Sequence, residues 1–552
     1  MARTKDMTVG SPAKLIILFA LPIIAGNLFQ QMYNLVDTLV VGRIEGVTAL
    51  AAVSSAGWLD WAVLSLAMGL AQGFSILIAQ RFGAHDVSGL RLAAGQSLLL
   101  AAAVVVVLEI ISQLFLTPIL HLLNTPADTF SLTEDYLRII FGGIPLVMGF
   151  NLFSGFLRSV GDSRTPLIAM VCAAVSNIVL DVLFVATFRW GVEGVAVATI
   201  AGQGISFIIC LVAALKLPMM HLHSKDVRPD LPEMKRLMVL GLPVAFQNMI
   251  ISIGGLVLQG VVNAQGFIFM AGYRAASRLQ GLIELGGNSL GSAVGTFAGQ
   301  NLGAGRLDRV KLGLRRSAQL GVLLAFLVGG VMLLWGKPLL QLFVDDDPAI
   351  VDQVLTFGYR FLAVMSSSLF TLYLLFVYRS TLQGVGDTFV PMLSGLVAPA
   401  SAALVGFLMF GNLLRECGVL NALSETAQTT LANLITIVLG LTVSSQITAD
   451  AFLQPDTLLI LALGGLAFIG DTVGGVLFAK LVNLFLPQDK KINPMIGAAG
   501  ISAFPMSGRV VNQMGLKEDN QNFLLMYSIS VNVSGQIASV IAGGLILTLM
   551  GV

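Results

Sequence analysis

Apolar runs long enough to cross a membrane recur along the whole chain, each about 18 to 30 residues long. Spanning ~30 Å of hydrocarbon as a helix takes about 20 residues. The runs are continuous rather than alternating, which favours helices over a barrel of strands. Only 11% of the 552 residues are charged, against about 25% in soluble domains. An all-α polytopic membrane protein follows, and the lipid bilayer is its first partner. Spans are expected near 14–41, 49–80, 92–123, 134–160, 165–188 and 192–216. After a polar connector they resume near 237–263, 268–300, 312–343, 354–384 and 388–411. The net charge of +1 gives no reason to expect a nucleic-acid partner. The basic start, MARTKDMTVGSPAK, is followed by about 25 apolar residues with no small-residue cleavage site, so it reads as the first span and not a removable signal.

Basic residues mark every second connection: Arg81 and Arg91, Arg158 and Arg164, Lys225 to Arg236, then Arg306 to Arg316. The intervening loops are poor in Lys and Arg, and one, VDDDPAI, is acidic. The positive-inside rule therefore puts the N-terminus and the long connector in the cytoplasm. Cys172, Cys210 and Cys417 are scattered through apolar sequence and read as small core residues.

A repeat overlies this pattern. AQRFGA at 79–84 matches GQNLGA at 299–304, RSVGDSRTP at 158–166 matches QGVGDTFVP at 383–391, and LP at 21–22 recurs at 242–243. The offsets agree at 220 to 225 residues, which implies two copies of one bundle. The expected organisation is a six-helix N-lobe at 1–216, a connector at 217–236, a partial C-lobe at 237–397 and a different segment at 398–552. The second copy stops short: the counterpart of Asp181 would be Gly406, and nothing past 397 echoes the fifth and sixth spans. The tail contains INPMIGAAGISAFPMSGR, too interrupted by Gly and Pro for one regular helix. Broken helices in membranes usually line a site.

The first span carries a polar stripe: Asn27, Gln30, Asn34 and Asp37. Asn177 and Asp181 share a face of the fifth span, one turn apart, and Thr199 lies in the sixth. An ionised Asp at the bilayer centre costs roughly 3 kcal/mol. Interhelical hydrogen bonds, averaging about 0.6 kcal/mol, offset that poorly. Two carboxylates, an amide oxygen and a hydroxyl suit a hard monovalent cation such as Na⁺. The same two acids can instead share a proton. A second stripe, Asn248, Ser252, Gln259 and Asn263, lies on the seventh span, with Arg274, Arg278 and Glu284 on the eighth. Asp60 sits between Trp58 and Trp61. Acids beside aromatics suit organic cations, which makes Asn34, Asp60, Gln259 and Glu284 candidates for a substrate pathway, although Asp60 and the two arginines also fit a plain helix interface. His221 and His223 read as solvated connector residues. No Walker A sequence or dinucleotide-binding glycine pattern appears, so direct ATP drive is not expected.

The stretch FALPIIAGNLFQQMYNLVDTLVVG, the paired turns and NIVLD…GVAVAT together resemble the multidrug and toxic compound extrusion (MATE) family over about residues 10–397. That resemblance implies two helical lobes in a bacterial cytoplasmic membrane and export of amphipathic, mostly cationic compounds in exchange for Na⁺ or H⁺. It implies no covalently bound cofactor, and a coupling site made by Asp37, Asn177, Asp181 and Thr199. From about Ala398, the stretches GFLMFGNLLRECGV, TLANLITIVLGLTV, NPMIGAAGISAFPMSGR and NVSGQIASVIAGG resemble the C-terminal part of the β subunit of sodium-pumping decarboxylases. This likeness implies an ion pathway through Asn493, Gly497, Ser502 and Arg509. Under that alternative the chain would serve a biotin-carrier complex, without the family's N-terminal half. A fusion that does not function is the third expectation.

Overall fold

All the described secondary structure is helical. The structure, a computed structural model, describes residues 4–122, 125–264, 267–343, 348–392, 455–486, 491–500, 506–519, 522–532 and 534–535. The side chains of Asn34, Trp58, Gln259 and Asn263 lie outside the described residues, as does most of the expected 388–411 span. The chain divides into two compact units, Met1–Gly395 and Leu396–Val552.

In the first unit, α1 (Pro12–Ile44), α2 (Gly46–Gly83), α3 (Val87–Leu122), α4 (Ala127–Gly142), α5 (Ile144–Ser159), α6 (Arg164–Asp181) and α7 (Gly191–Leu215) build the N-lobe. The second copy is α8 (Leu231–Ala264), α9 (Phe267–Gly303), α10 (Leu307–Gln341), α11 (Pro348–Ser367) and α12 (Leu369–Gly384). Two expected single spans are each a bent pair. The 134–160 run breaks by 45° between α4 and α5, and the 354–384 run by 51° between α11 and α12. Pro145 sits in the first turn of α5, where its missing N–H costs nothing, and ends the preceding helix. At the second break the Ser368 hydroxyl donates to the Val364 carbonyl at 2.8 Å, competing with the helical ladder. The breaks occupy corresponding places in the two copies.

The connector is shorter than its sequence suggests. Asp230 caps α8 by accepting the Glu233 amide N–H at 2.9 Å, so residues 231–236 belong to the helix. Among the described residues, eight helices are long and apolar enough to cross a membrane, or ten with each bent pair taken as one span.

The lobes meet through small residues. Gly69 and Gly73 of α2 lie directly on the backbones of Ala245 and Gly241 of α8, the close approach that small residues permit between membrane helices. At the end where α2 turns to α3 and α9 turns to α10, the contacts are reciprocal. Gln80 Nε2 donates to the Gly384 carbonyl at 3.0 Å, and Gln300 Nε2 donates to the Ser159 carbonyl at 2.7 Å. A Cβ on Gly83 would collide with the Gln300 carbonyl, and one on Gly303 with that of Gln80. Gly161 (φ +88°) and Gly386 (φ +93°) occupy equivalent turns that L side chains rarely adopt.

The N-terminal segment straps this closed end. Met7 is fully buried; its N–H donates to Gln300 Oε1 at 2.8 Å and its carbonyl accepts from Arg309 at 3.1 Å. The Lys5 N–H reaches the Val160 carbonyl at 2.9 Å, so the strap holds residues of both lobes.

In the second unit, α13 (Pro455–Phe485) packs against a 3₁₀ segment, Pro494–Gly500, and α14 (Met506–Glu518) follows. The expected interruption within INPMIGAAGISAFPMSGR is present as this change from 3₁₀ to α-helix, with residues 501–505 outside the described set.

Candidate functional site: a buried acidic cluster in the N-lobe

Helices α1, α6 and α7 bring Asp37, Asn177, Asp181 and Thr199 into the interior of the N-lobe. Close packing makes this possible: Gly26 of α1 lies against Met170 of α6, and Gly202 of α7 lies beside Ala173 and Asn177 of α6. Asp181 is 0% exposed and Asn177 2%. Asp37 and Asp181 sit within direct electrostatic reach of each other. Asp37 Oδ1, both Asp181 carboxylate oxygens, both polar atoms of the Asn177 amide and Thr199 Oγ1 are buried without a hydrogen-bond partner. Buried polar groups are nearly always satisfied, so several unsatisfied ones in one place call for an explanation.

A further feature lies next to the cluster. The α6 helix stops at Asp181 and the chain continues as a π-helix, Val182–Thr187. The wider turn leaves the Phe188 N–H bonded five residues back, to Leu183, at 3.0 Å. Such π turns inside helices occur often at functional sites. Nothing in the residue pattern marks it, since the apolar run continues from Val182 to Phe188.

Chemically the cluster is two carboxyls with neutral oxygens. Among the described residues no group of three or more His, Cys, Asp or Glu could hold a metal. The oxygen set suits a desolvated monovalent cation or a proton shared between the acids.

The remaining candidates fall elsewhere. Asn27 of the same stripe donates from Nδ2 to Ser289 Oγ of α9 at 3.2 Å, so the stripe spans a seam: one edge turns to the C-lobe, the other to α6. Asp60 lies half a turn away from the glycines of α2 that meet α8, on the side of Ala56 and the N-lobe core, and its Oδ1 is unpartnered. Glu284 accepts from Gln280 Nε2 at 2.7 Å. In the second unit, Asn493 Oδ1 accepts the Met495 N–H at 3.0 Å, Gly497 packs backbone to backbone on Gly475, and Arg509 is exposed; Ser502 lies outside the described residues. His221 bonds the Leu215 carbonyl and His223 faces Asp226.

Sequence reasoning passed over Arg379, half-buried in α12 with its guanidinium 5.0 Å from the centre of the Phe376 ring. It stands five residues before the closing turn and reads as one more basic end-marker.

The MatE family model matches residues 22–183 and 243–408. The model for the Na⁺-transporting oxaloacetate decarboxylase beta subunit matches residues 385–550. The chain is 32% identical over 345 residues to the probable multidrug resistance protein YpnP of Bacillus subtilis, covering 62% of this chain and 77% of that one. YoeA of the same organism, also a probable multidrug resistance protein, is 30% identical over 397 residues, 69% and 83% of the two chains. The oxaloacetate decarboxylase beta chain of Klebsiella pneumoniae is 53% identical over 156 residues, 28% of this chain; the match spans only 36% of that relative's length. In fold, the chain is similar to a MOP superfamily transporter from Pyrococcus furiosus (TM-score 0.68, 22% identity, 79% of this chain and 97% of that one). It is also similar to an outward-facing MATE transporter (TM-score 0.66, 23% identity, 72% and 88%). The duplicated bundle, the matched model and the B. subtilis relatives agree: this chain belongs to the MatE family, with a segment related to the decarboxylase beta subunit joined at its C-terminal end.

Proposed function

We propose that the chain is a cation-coupled antiporter that exports amphipathic, mostly cationic compounds across a bacterial cytoplasmic membrane, with its N-terminus in the cytoplasm. Asp37, Asn177, Asp181 and Thr199 bind the coupling ion, Na⁺ or H⁺. One observation carries this reading: six polar atoms of these four side chains are buried together without a partner. The names of the B. subtilis relatives support the export of drugs. A cation entering the cluster neutralises Asp181 and removes the cost of burying its charge, and so favours one arrangement of α1 against α6. Each charge moved down 100 mV supplies about 2.3 kcal/mol, enough for roughly fiftyfold accumulation. Basic connections at the closed end support placing it at the cytoplasm. Asn34, Gln259 and Glu284 are the proposed substrate contacts; Asp60 joins them only from inside the N-lobe.

The test is dye efflux from a pump-deficient host. Asp181→Asn abolishes efflux while membrane insertion stays at the wild-type level; undiminished efflux in the variant contradicts the reading.

A second reading rests on the 53% identical C-terminal segment: a membrane subunit working with a biotin carrier, with Asn493, Gly497, Ser502 and Arg509 on its ion path. It predicts Na⁺-dependent loss of CO₂ from carboxybiotin in membranes holding this chain. No such loss leaves the exporter alone.

A further inference from the structure

Within the C-lobe the charge inside the bundle lies in α9 and α12, and it is mainly positive. Arg274 and Arg278 lie one turn apart on α9. Both are exposed, and neither makes a hydrogen bond or ion pair among the described residues. Arg379 of α12, whose Nε is buried and unpartnered, lies farther along α9, where its neighbours Phe376 and Ser380 pack on Gly287 and Gly291. Glu284, the acid of this region, has its own bond to Gln280.

The direction in which the arginine pair points follows from its neighbours. At 100° per residue, Arg274 and Arg278 share a face with Gly281 and Ser289. Gly281 lies beside the Gln31 side chain of α1, and Ser289 accepts from Asn27 of α1. The opposite face of α9, with Ala276 and Ile283, is packed into the C-lobe core. The pair therefore faces the other lobe and not lipid. The antiparallel register of α1 and α9, set by Asn27 opposite Ser289 and Gln31 opposite Gly281, brings Arg274 and Arg278 to the depth of Asp37. The α9 helix has 37 residues yet is not among the helices apolar enough to span by composition, as expected of a helix lining a polar cleft.

We propose that Arg274 and Arg278 form an anion-binding wall of the transport cleft, so that among the amphipathic cations exported, those that also carry a carboxylate, the zwitterions, are preferred. This rests on reading the chain as an exporter and narrows its substrates. Two guanidiniums one turn apart present parallel forks that match a carboxylate, and unpaired arginines at this depth are costly without such a partner. The acidic cluster across the gap keeps its own role with the coupling ion, and the substrate's acidic group docks on the opposite lobe.

Rhodamine B and its ethyl ester test the claim, because they share one scaffold and differ in the free carboxylate. Uptake is measured in everted membrane vesicles holding the full chain, and binding by equilibrium dialysis with the purified protein. Wild type takes up the acid with a KM at least tenfold below that of the ester. Arg274→Gln/Arg278→Gln raises the KM for the acid about tenfold and leaves the ester unchanged; Arg274→Lys/Arg278→Lys retains part of the preference. Equal handling of both dyes, or a double Gln variant that behaves as wild type, overturns the proposal; the latter is the result if these arginines only reach lipid headgroups. If neither dye is transported, the exporter reading fails, while acid-selective binding lost in the double variant still upholds the site; absence of that selectivity overturns it.

Discussion

At the closed end the two lobes are near copies, and deeper in the membrane they are not. Gln80 and Gln300 clasp opposite partners, Gly83 and Gly303 touch each other's helices, and Gly161 and Gly386 turn alike. Deeper in the bundle, the N-lobe holds Asp37 and Asp181 while the C-lobe holds Arg274, Arg278 and Arg379 beside the acid Glu284. Backbone proximity and left-handed turns tolerate few residue types, so the duplicated frame kept its glycines and glutamines. The interior has no such constraint, and its charges have diverged in sign.

The contrast can be broken first at the frame. Gly303→Val forces a branched side chain into the Gln80 carbonyl; overpacking of this kind costs about 1–3 kcal/mol. Gly330→Val in α10, where a Cβ meets nothing within 4 Å, is the control. Thermal unfolding of the purified variants should show a large loss for the first and a small one for the second. Similar losses would mean that the lobes do not need this contact.

A smaller effect separates the two glutamines. Gln300 accepts the Met7 N–H as well as donating to Ser159, whereas among the described residues the Gln80 side chain makes its single hydrogen bond to Gly384. A buried group left unsatisfied costs about 1–3 kcal/mol. Gln300→Ala should therefore lower the melting temperature more than Gln80→Ala; equal shifts would show that the N-terminal strap adds nothing.

The smallest expected effect lies in the α2–α3 turn. The Gly89 N–H first, then the Ser88 hydroxyl and Arg81, hold the Asp86 carboxyl below its usual range. A depressed carboxyl contributes stability above its unfolded value and loses it as pH falls through the folded one. Wild type should thus lose slightly more stability than Asp86→Asn on acidification below about pH 4, read as the difference between their melting curves. The exposed turn keeps that difference small.

Much of this frame was legible in the chain. Apolar runs gave the helices, and the 220- to 225-residue offsets gave the two copies. The polar residues Asp37, Asn177, Asp181 and Thr199 stood out because hydrocarbon makes them costly. Helix breaks were harder: Pro145 marks one, but the bend at Ser368 depends on a hydroxyl turning back on its own helix, which composition does not reveal. The π turn after Asp181 was invisible for the same reason, since it is a choice of hydrogen-bond partner within an ordinary apolar run. The depth and facing of the arginine pair needed the pairing of α1 with α9, a fact of tertiary packing.

The central claim is that ion binding at Asp181 drives transport. The most direct measurement is cation flux in proteoliposomes holding purified protein, with a pH-sensitive and a Na⁺-sensitive indicator inside, upon addition of a transported dye. Wild type should move one of the two cations in response to the dye, and Asp181→Asn should move neither while still binding dye. A dye-driven cation flux that survives in Asp181→Asn would contradict the account.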